Sequence, residues 1–187
     1  MPTLTADQTC SSTVHVRCCQ ILDKVWHTYM TLGLNALKEG DAALARTMLE
    51  AALEEATSRG KASSKIAAST TYLARAYRCL HRHEEAKTLY LKSWSLLRND
   101  SDADQFLFME VLDALAEIHV AAKDFRIAKR FLTKAIKVRE ELYGSDHPSL
   151  SQRLMLLGFV HTKLNAFDDA FKSYNRAKAI RQKLSRQ

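Results

Sequence analysis

The residues best suited to chemistry in this 187-residue chain are few, and their spacing works against them. Cys79, His81 and His83 stand in the run CLHRH, where alternating thiol and imidazole groups could meet one metal ion in a loop. A tetrahedral site needs a fourth ligand, and none stands at a suitable spacing. His119 and His161 lie on apolar helical faces, and His147 lies in the joint GSDHPSL at 144–150. The pairs Glu54-Glu55, Glu84-Glu85 and Glu140-Glu141 are adjacent, so on a helix the two carboxylates of each pair diverge and cannot flank a substrate. The chain has no glycine-rich phosphate loop and no GxSxG, HExxH or DxDxDG pattern. No catalytic residue, no metal ligand and no cofactor is expected, and the reading is that of a non-enzyme.

Composition points the same way. Apolar residues make up 47% and charged residues 26%, with five Gly and two Pro, which is ordinary for a globular domain with a helical lean. No apolar run is long enough to span a bilayer. The start MPTLTADQTCSS lacks a basic, then apolar, leader, so a cytoplasmic location is expected. Cys10, Cys18, Cys19 and Cys79 fit neither a disulfide framework nor a zinc pattern and read as reduced thiols.

The elements that must position these side chains repeat. Leu32-Gly33, Leu73-Ala74, Leu115-Ala116 and Leu157-Gly158 recur every 41 or 42 residues. Thirteen residues after each Leu stands an Ala: Ala45, Ala86, Ala128 and Ala170. Seventeen after it stands Leu49, Tyr90, Leu132 or Tyr174, and twenty after it Ala52, Ser93, Ala135 or Ala177. Each copy reads as two helices. In the third, Val111, Leu112, Leu115, Ile118 and His119 share a face of the first helix. Ile127, Ala128, Phe131, Leu132, Ala135 and Ile136 share a face of the second. The small columns mark where two helix backbones approach closely. GSDHPSL is then punctuation between copies: Gly144 ends a helix at positive φ, Ser145 and Asp146 offer oxygens to the next helix, and Pro148 suits its first turn. SRGKASS at 58–64 and RNDSDAD at 98–104 do the same work earlier. The first helix is expected to start near Thr13 and to carry its apolar face through Val14, Cys18, Ile21 or Leu22 and Val25. Residues 1–12 are expected to be loose.

The Leu-small pair, the slot four residues on (Ala36, Tyr77, His119, His161), the Ala, the bulky residue and the next small residue together resemble the tetratricopeptide repeat (TPR). The 42-residue period and the YGSDHPSL joint resemble its kinesin-light-chain type. The resemblance implies an all-α fold, a right-handed superhelical solenoid of four antiparallel helix pairs. The repeats fall at about 20–60, 61–100, 102–144 and 146–187, within one domain over 13–187. It also implies a concave groove lined by Met30, Leu34 and Leu37, then Arg75 and Arg78, then Glu110, Asp113 and Glu117, then Met155, Phe159 and Thr162. Arg75 and Arg78 are expected to face Asp113 and Glu117, either pairing across repeats to hold register or reading a charged peptide. Family members that grip acidic chaperone tails present Lys and Asn where this chain has Met30, Leu34 and Tyr72. The paired Asn of kinesin light chains are replaced by Thr71-Tyr72, Asp113-Ala114 and Met155-Leu156. Neither of those ligand preferences is therefore implied.

The net charge of +7 is uneven: residues 123–187 hold 15 Lys and Arg against 6 Asp and Glu. Arg126, Arg130, Lys134 and Lys137 form a stripe at helical spacing, which Lys172 and Arg176 roughly repeat. This basic convex patch is either a solvated outer face or a docking surface for an acidic partner. No aromatics interleave with it, so base stacking is not supported. The expected function is an adaptor that binds a peptide or protein of unspecified identity. Association with nucleic acid or an anionic membrane through the basic half is the alternative. Where Leu53, Trp94 and Ile136 stand in earlier copies the fourth has Lys178, so the stack is expected to end there as a monomer, with Ile180 and Leu184 leaving a little apolar surface.

Overall fold

A computed structural model of the protein describes residues 8–58, 63–98, 100 and 104–185, with side chains from Lys24 onward. The fold is all-α. Among the described residues, eight helices run along the chain as four sequential pairs: α1 (Gln8–Glu39), α2 (Ala42–Ser58), α3 (Ser63–Cys79), α4 (His83–Leu97), α5 (Gln105–Ala121), α6 (Phe125–Tyr143), α7 (Ser149–Lys163) and α8 (Phe167–Leu184). Helix α1 begins at Gln8 rather than near Thr13, and so takes in residues that sequence alone left loose. Residues 1–7, the side chains of Val14, Cys18, Ile21 and Leu22, and most of the joints at 58–64 and 98–104 lie outside the described residues.

The repeat is written into the backbone. Gly40, His81, Lys123 and Asn165 all have positive φ, near +83°, +60°, +62° and +59°. They recur at the repeat period and turn the chain within each pair. His81 thus serves a turn, and the CLHRH run spans the end of α3 and the start of α4. Asp41 accepts a hydrogen bond from the Leu44 amide (2.9 Å), and Asp104 accepts from the amides of Phe106 and Leu107 (2.9 and 3.2 Å), so each starts the helix that follows.

The small columns pack as their sizes require. A Cβ built on Gly33 would lie 2.6 Å from Leu49 Cγ, and one on Gly158 would lie 2.6 Å from Tyr174 Cε1. The bulky column of the second helix therefore presses onto the small column of the first. Ala45, Ala86, Ala128 and Ala170 are buried, as are Ala52, Ser93, Ala135 and Ala177. Two residues depart from the expected core. Leu32 is 47% exposed because no earlier helix pair lies against it among the described residues. Ile127 is 41% exposed because it turns out of the core beside Trp94.

The helices sort into two compact units, Met1–Arg82 and His83–Gln187. In the first, α2 packs on α1 and on α3. The Trp26 indole N–H donates to Ser69 Oγ (2.9 Å), which lies 3.6 Å from Met30 Sδ. In the second, consecutive helices from α4 to α8 pack in turn. Its core includes Leu132 and Ile136 of α6, Leu150, Leu154, Leu157 and Val160 of α7, and Ala177 and Ile180 of α8.

The joint before α7 is built differently from expectation. Gly144 ends α6 at φ +85°, its amide donating to Glu140 O (2.9 Å). Asp146 and Ser145 do not cap α7. The Asp146 carboxylate accepts from Lys183 Nζ of α8 (2.6 Å), and the Ser145 carbonyl accepts from Arg176 (2.8 Å). The Ser149 amide instead donates to His147 Nδ1 (3.3 Å). At Asp146 the Lys183 ammonium outcompetes the helix amides because it brings full charge to the carboxylate.

Candidate functional site

In the second unit the first-helix faces belong to α5 and α7, and their side chains are held by charge. Asp113 of α5 is clasped by two guanidiniums: Arg139 of α6 donates to both carboxylate oxygens, and Arg153 Nε of α7 lies 3.3 Å from Oδ1. Arg153 also donates to Glu117 (2.8 Å). Side-chain exposures of 11%, 15% and 14% for Arg139, Asp113 and Arg153 place this triad in a largely dry setting. Burial pushes the Asp113 carboxyl above the ordinary carboxylate range, against the pull of Arg153 and Arg139. In contrast, the hydrogen bond from Lys183 holds exposed Asp146 below that range.

The expected partners of Asp113 and Glu117 were Arg75 and Arg78. Those two belong to the first unit, where both are half-buried; within the second unit Arg139 and Arg153 meet the Asp113 carboxylate and Arg153 also meets Glu117. A signal for Arg139 was present: the slot that holds Ala56 and Leu97 in earlier copies turns to Arg139 and then Arg181. A cation in an apolar column requires a buried acceptor. Arg181 finds its own in Ser151 Oγ (2.7 Å).

Next to the triad the surface becomes apolar. Met155 and Phe159 of α7 are 36% and 39% exposed. Phe125 meets the Phe159 ring edge to face, with centroids 6.2 Å apart, and Lys163 Nζ sits 5.4 Å from it. Thr162 is exposed one turn on, and its hydroxyl donates to Gly158 O (3.0 Å). Glu110 is half-buried on α5. In the first unit Leu34 and Leu37 are half-buried on α1, but Met30 is buried and lies under this face rather than on it.

His119 and His161 are core side chains. His119 stacks on Phe131 at 5.7 Å, with Nδ1 3.3 Å from Asp124. Both ring nitrogens of His161 are buried with no hydrogen-bond partner among the described residues, a poor setting for proton transfer. No group of three or more metal-ligating residues forms among the described residues. No helix there is long and apolar enough to cross a membrane.

The basic residues expected to form one patch divide. Lys137, Lys172 and Arg176 have carboxylates beside them: Glu141 at 3.7 Å, Asp169 at 3.9 Å and Glu140 at 2.5 Å. Arg126, Arg130 and Lys134 are exposed.

Residues 108–183 match the tetratricopeptide repeat family model. No curated protein matches the chain. Among solved structures, BtubC (BKLC) from P. vanneervenii is 24% identical with a TM-score of 0.76, over 88% of this chain and 66% of its own. A kinesin-light-chain-type protein of Podospora anserina, with nearly identical TPR-like repeats, is 19% identical with a TM-score of 0.67, over 87% and 77%. Aspartyl phosphate phosphatase F from Bacillus subtilis is 18% identical with a TM-score of 0.71, over 88% and 42%. The chain thus spans just under two thirds of the length of BtubC and less than half of the phosphatase. Together these define a TPR-like helical-repeat fold. At these identities the likeness concerns fold alone, and the differing names of the relatives fit that.

Proposed function

We propose that this chain is a non-enzymatic adaptor, of the 42-residue kinesin-light-chain-like kind, that holds a peptide segment of a partner protein on its first-helix faces. One observation carries the reading: Met155 and Phe159 stand exposed on α7 beside the fixed Arg153–Glu117 pair. An apolar step next to an ordered charge is what a peptide needs to bury one side chain and orient its polar groups. Leu34 and Leu37, with Arg75 and Arg78, offer a similar mix on the first unit.

The repeat period and the joint support the subtype, while the missing Asn pairs speak against a shared ligand. Affinity capture with the full chain, followed by titration of the captured partner, tests the proposal. Phe159→Ala is expected to weaken binding on the order of tenfold while leaving the melting curve in place. A partner that binds Phe159→Ala and Arg78→Glu at wild-type strength would remove the first-helix faces from the binding site.

A further inference from the structure

We propose a second docking site on the second unit, in the recess between α4 and α6, for a short acidic segment of a partner protein carrying one apolar anchor. The recess has a volume of about 230 Å³ and is lined by Trp94, Ile127, Arg130, Phe131 and Lys134. Its floor is apolar. The Trp94 and Phe131 rings meet edge to face at 5.7 Å, and Ile127 is the aliphatic wall that turned out of the core. An exposed Ile beside two aromatic edges costs solvation that an incoming apolar side chain recovers.

Charge identifies the occupant. Arg130 and Lys134 are exposed on the rim, and Arg98 lies over the Trp94 ring at 4.8 Å. None of the three forms an ion pair with a described residue, whereas Lys137, Lys172, Arg176 and Lys183 each have a carboxylate within 4 Å. Uncompensated positive charge therefore gathers around this recess, and carboxylates flanking an apolar anchor complement it. Nucleic acid fits less well. Arg98 covers one face of the Trp94 ring and His119 one face of Phe131, which reduces the ring surface on which bases could stack. This site shares no residue with the α5 and α7 faces, so either can fail without the other.

The test uses the full chain labelled with 15N and the peptide Glu-Asp-Glu-Leu-Phe-Glu-Asp-Glu, followed by NMR. The two tryptophans supply an internal control, because Trp26 belongs to the first unit. The Trp94 indole N–H and the amides of Ile127, Arg130 and Lys134 are expected to shift while the Trp26 indole stays still. Arg130→Glu with Lys134→Glu should weaken the peptide on the order of tenfold, and replacing Leu-Phe by Ser-Ser should abolish the shifts. The proposal is overturned if millimolar peptide leaves Trp94 unmoved, or if the shifts map to α5 and α7. It is equally overturned if single-stranded oligodeoxythymidine or phosphatidylserine vesicles move the same resonances at lower concentration than the peptide.

Discussion

Gly158 shows what a single missing carbon does here. The Tyr174 ring occupies the space a Cβ would need, so Gly158→Ala forces the ring or the helix aside. Overpacking of this kind costs about 1–3 kcal/mol, offset by up to ~1 kcal/mol of helix propensity gained over glycine. Chemical denaturation is expected to show a net loss, and Tyr174→Leu should relieve most of it. Asp113 makes a second case. Arg139→Leu and Asp113→Ala each leave a buried charge short of a partner, so the double-mutant cycle should give a coupling of about 1–3 kcal/mol. Because its folded-state pKa is raised, the stability Asp113 contributes is full below the unfolded carboxylate pKa and declines as pH rises through the folded value. Asp113→Asn should remove that slope from a denaturation series across the acid range. The glycine requirement was legible from the Leu-small columns, since a period exposes a steric rule. The triad was not, because it joins three helices whose facing follows from packing rather than from spacing.

At the scale of the helix pair, the turns carry the period. Gly40 accepts positive φ without strain, whereas Lys123 adopts it with a Cβ. Left-handed backbone costs an L-residue about 1–2 kcal/mol, and glycine gives back about 0.5–1 kcal/mol in chain entropy. Lys123→Gly is therefore expected to raise stability slightly in denaturant titrations, by ~0.5–1 kcal/mol. Gly144→Ala, at φ +85° and ψ 165°, should lower it by about 1–3 kcal/mol. The joints were readable in position but not in partners. GSDHPSL announced a break, yet the Lys and Arg of α8 that claim Asp146 and Ser145 lie some thirty residues away. Local capping rules do not foresee a distant cation competing for the Asp146 carboxylate.

At the scale of the whole molecule, Lys178 is exposed, and Ile180, expected to leave apolar surface, is 2% exposed within its own repeat; the Leu184 side chain lies outside the described residues. What does stand out on α8 is Phe167 and Phe171, 63% and 67% exposed and one turn apart. Against them, the excess positive charge of residues 123–187 opposes pairing like with like. Sedimentation is expected to give a monomer at micromolar concentration. A dimer dissolved by Phe171→Glu would instead assign α8 a self-interface. The repeat architecture was visible in the sequence because four copies averaged out local noise. The binding faces were visible only in outline, since burial decides which face residues a partner can touch, and Met30 shows how that goes astray.

The most direct test of the adaptor reading is site-specific photo-crosslinking with benzoylphenylalanine at position 159 and, separately, at exposed Gln182, using the captured partner. Crosslinks from 159 to one contiguous segment of the partner, lost with Met155→Glu and absent from 182, are the predicted result. Equal crosslinking from both positions, or crosslinks from 182 alone, would contradict a binding site on the first-helix face.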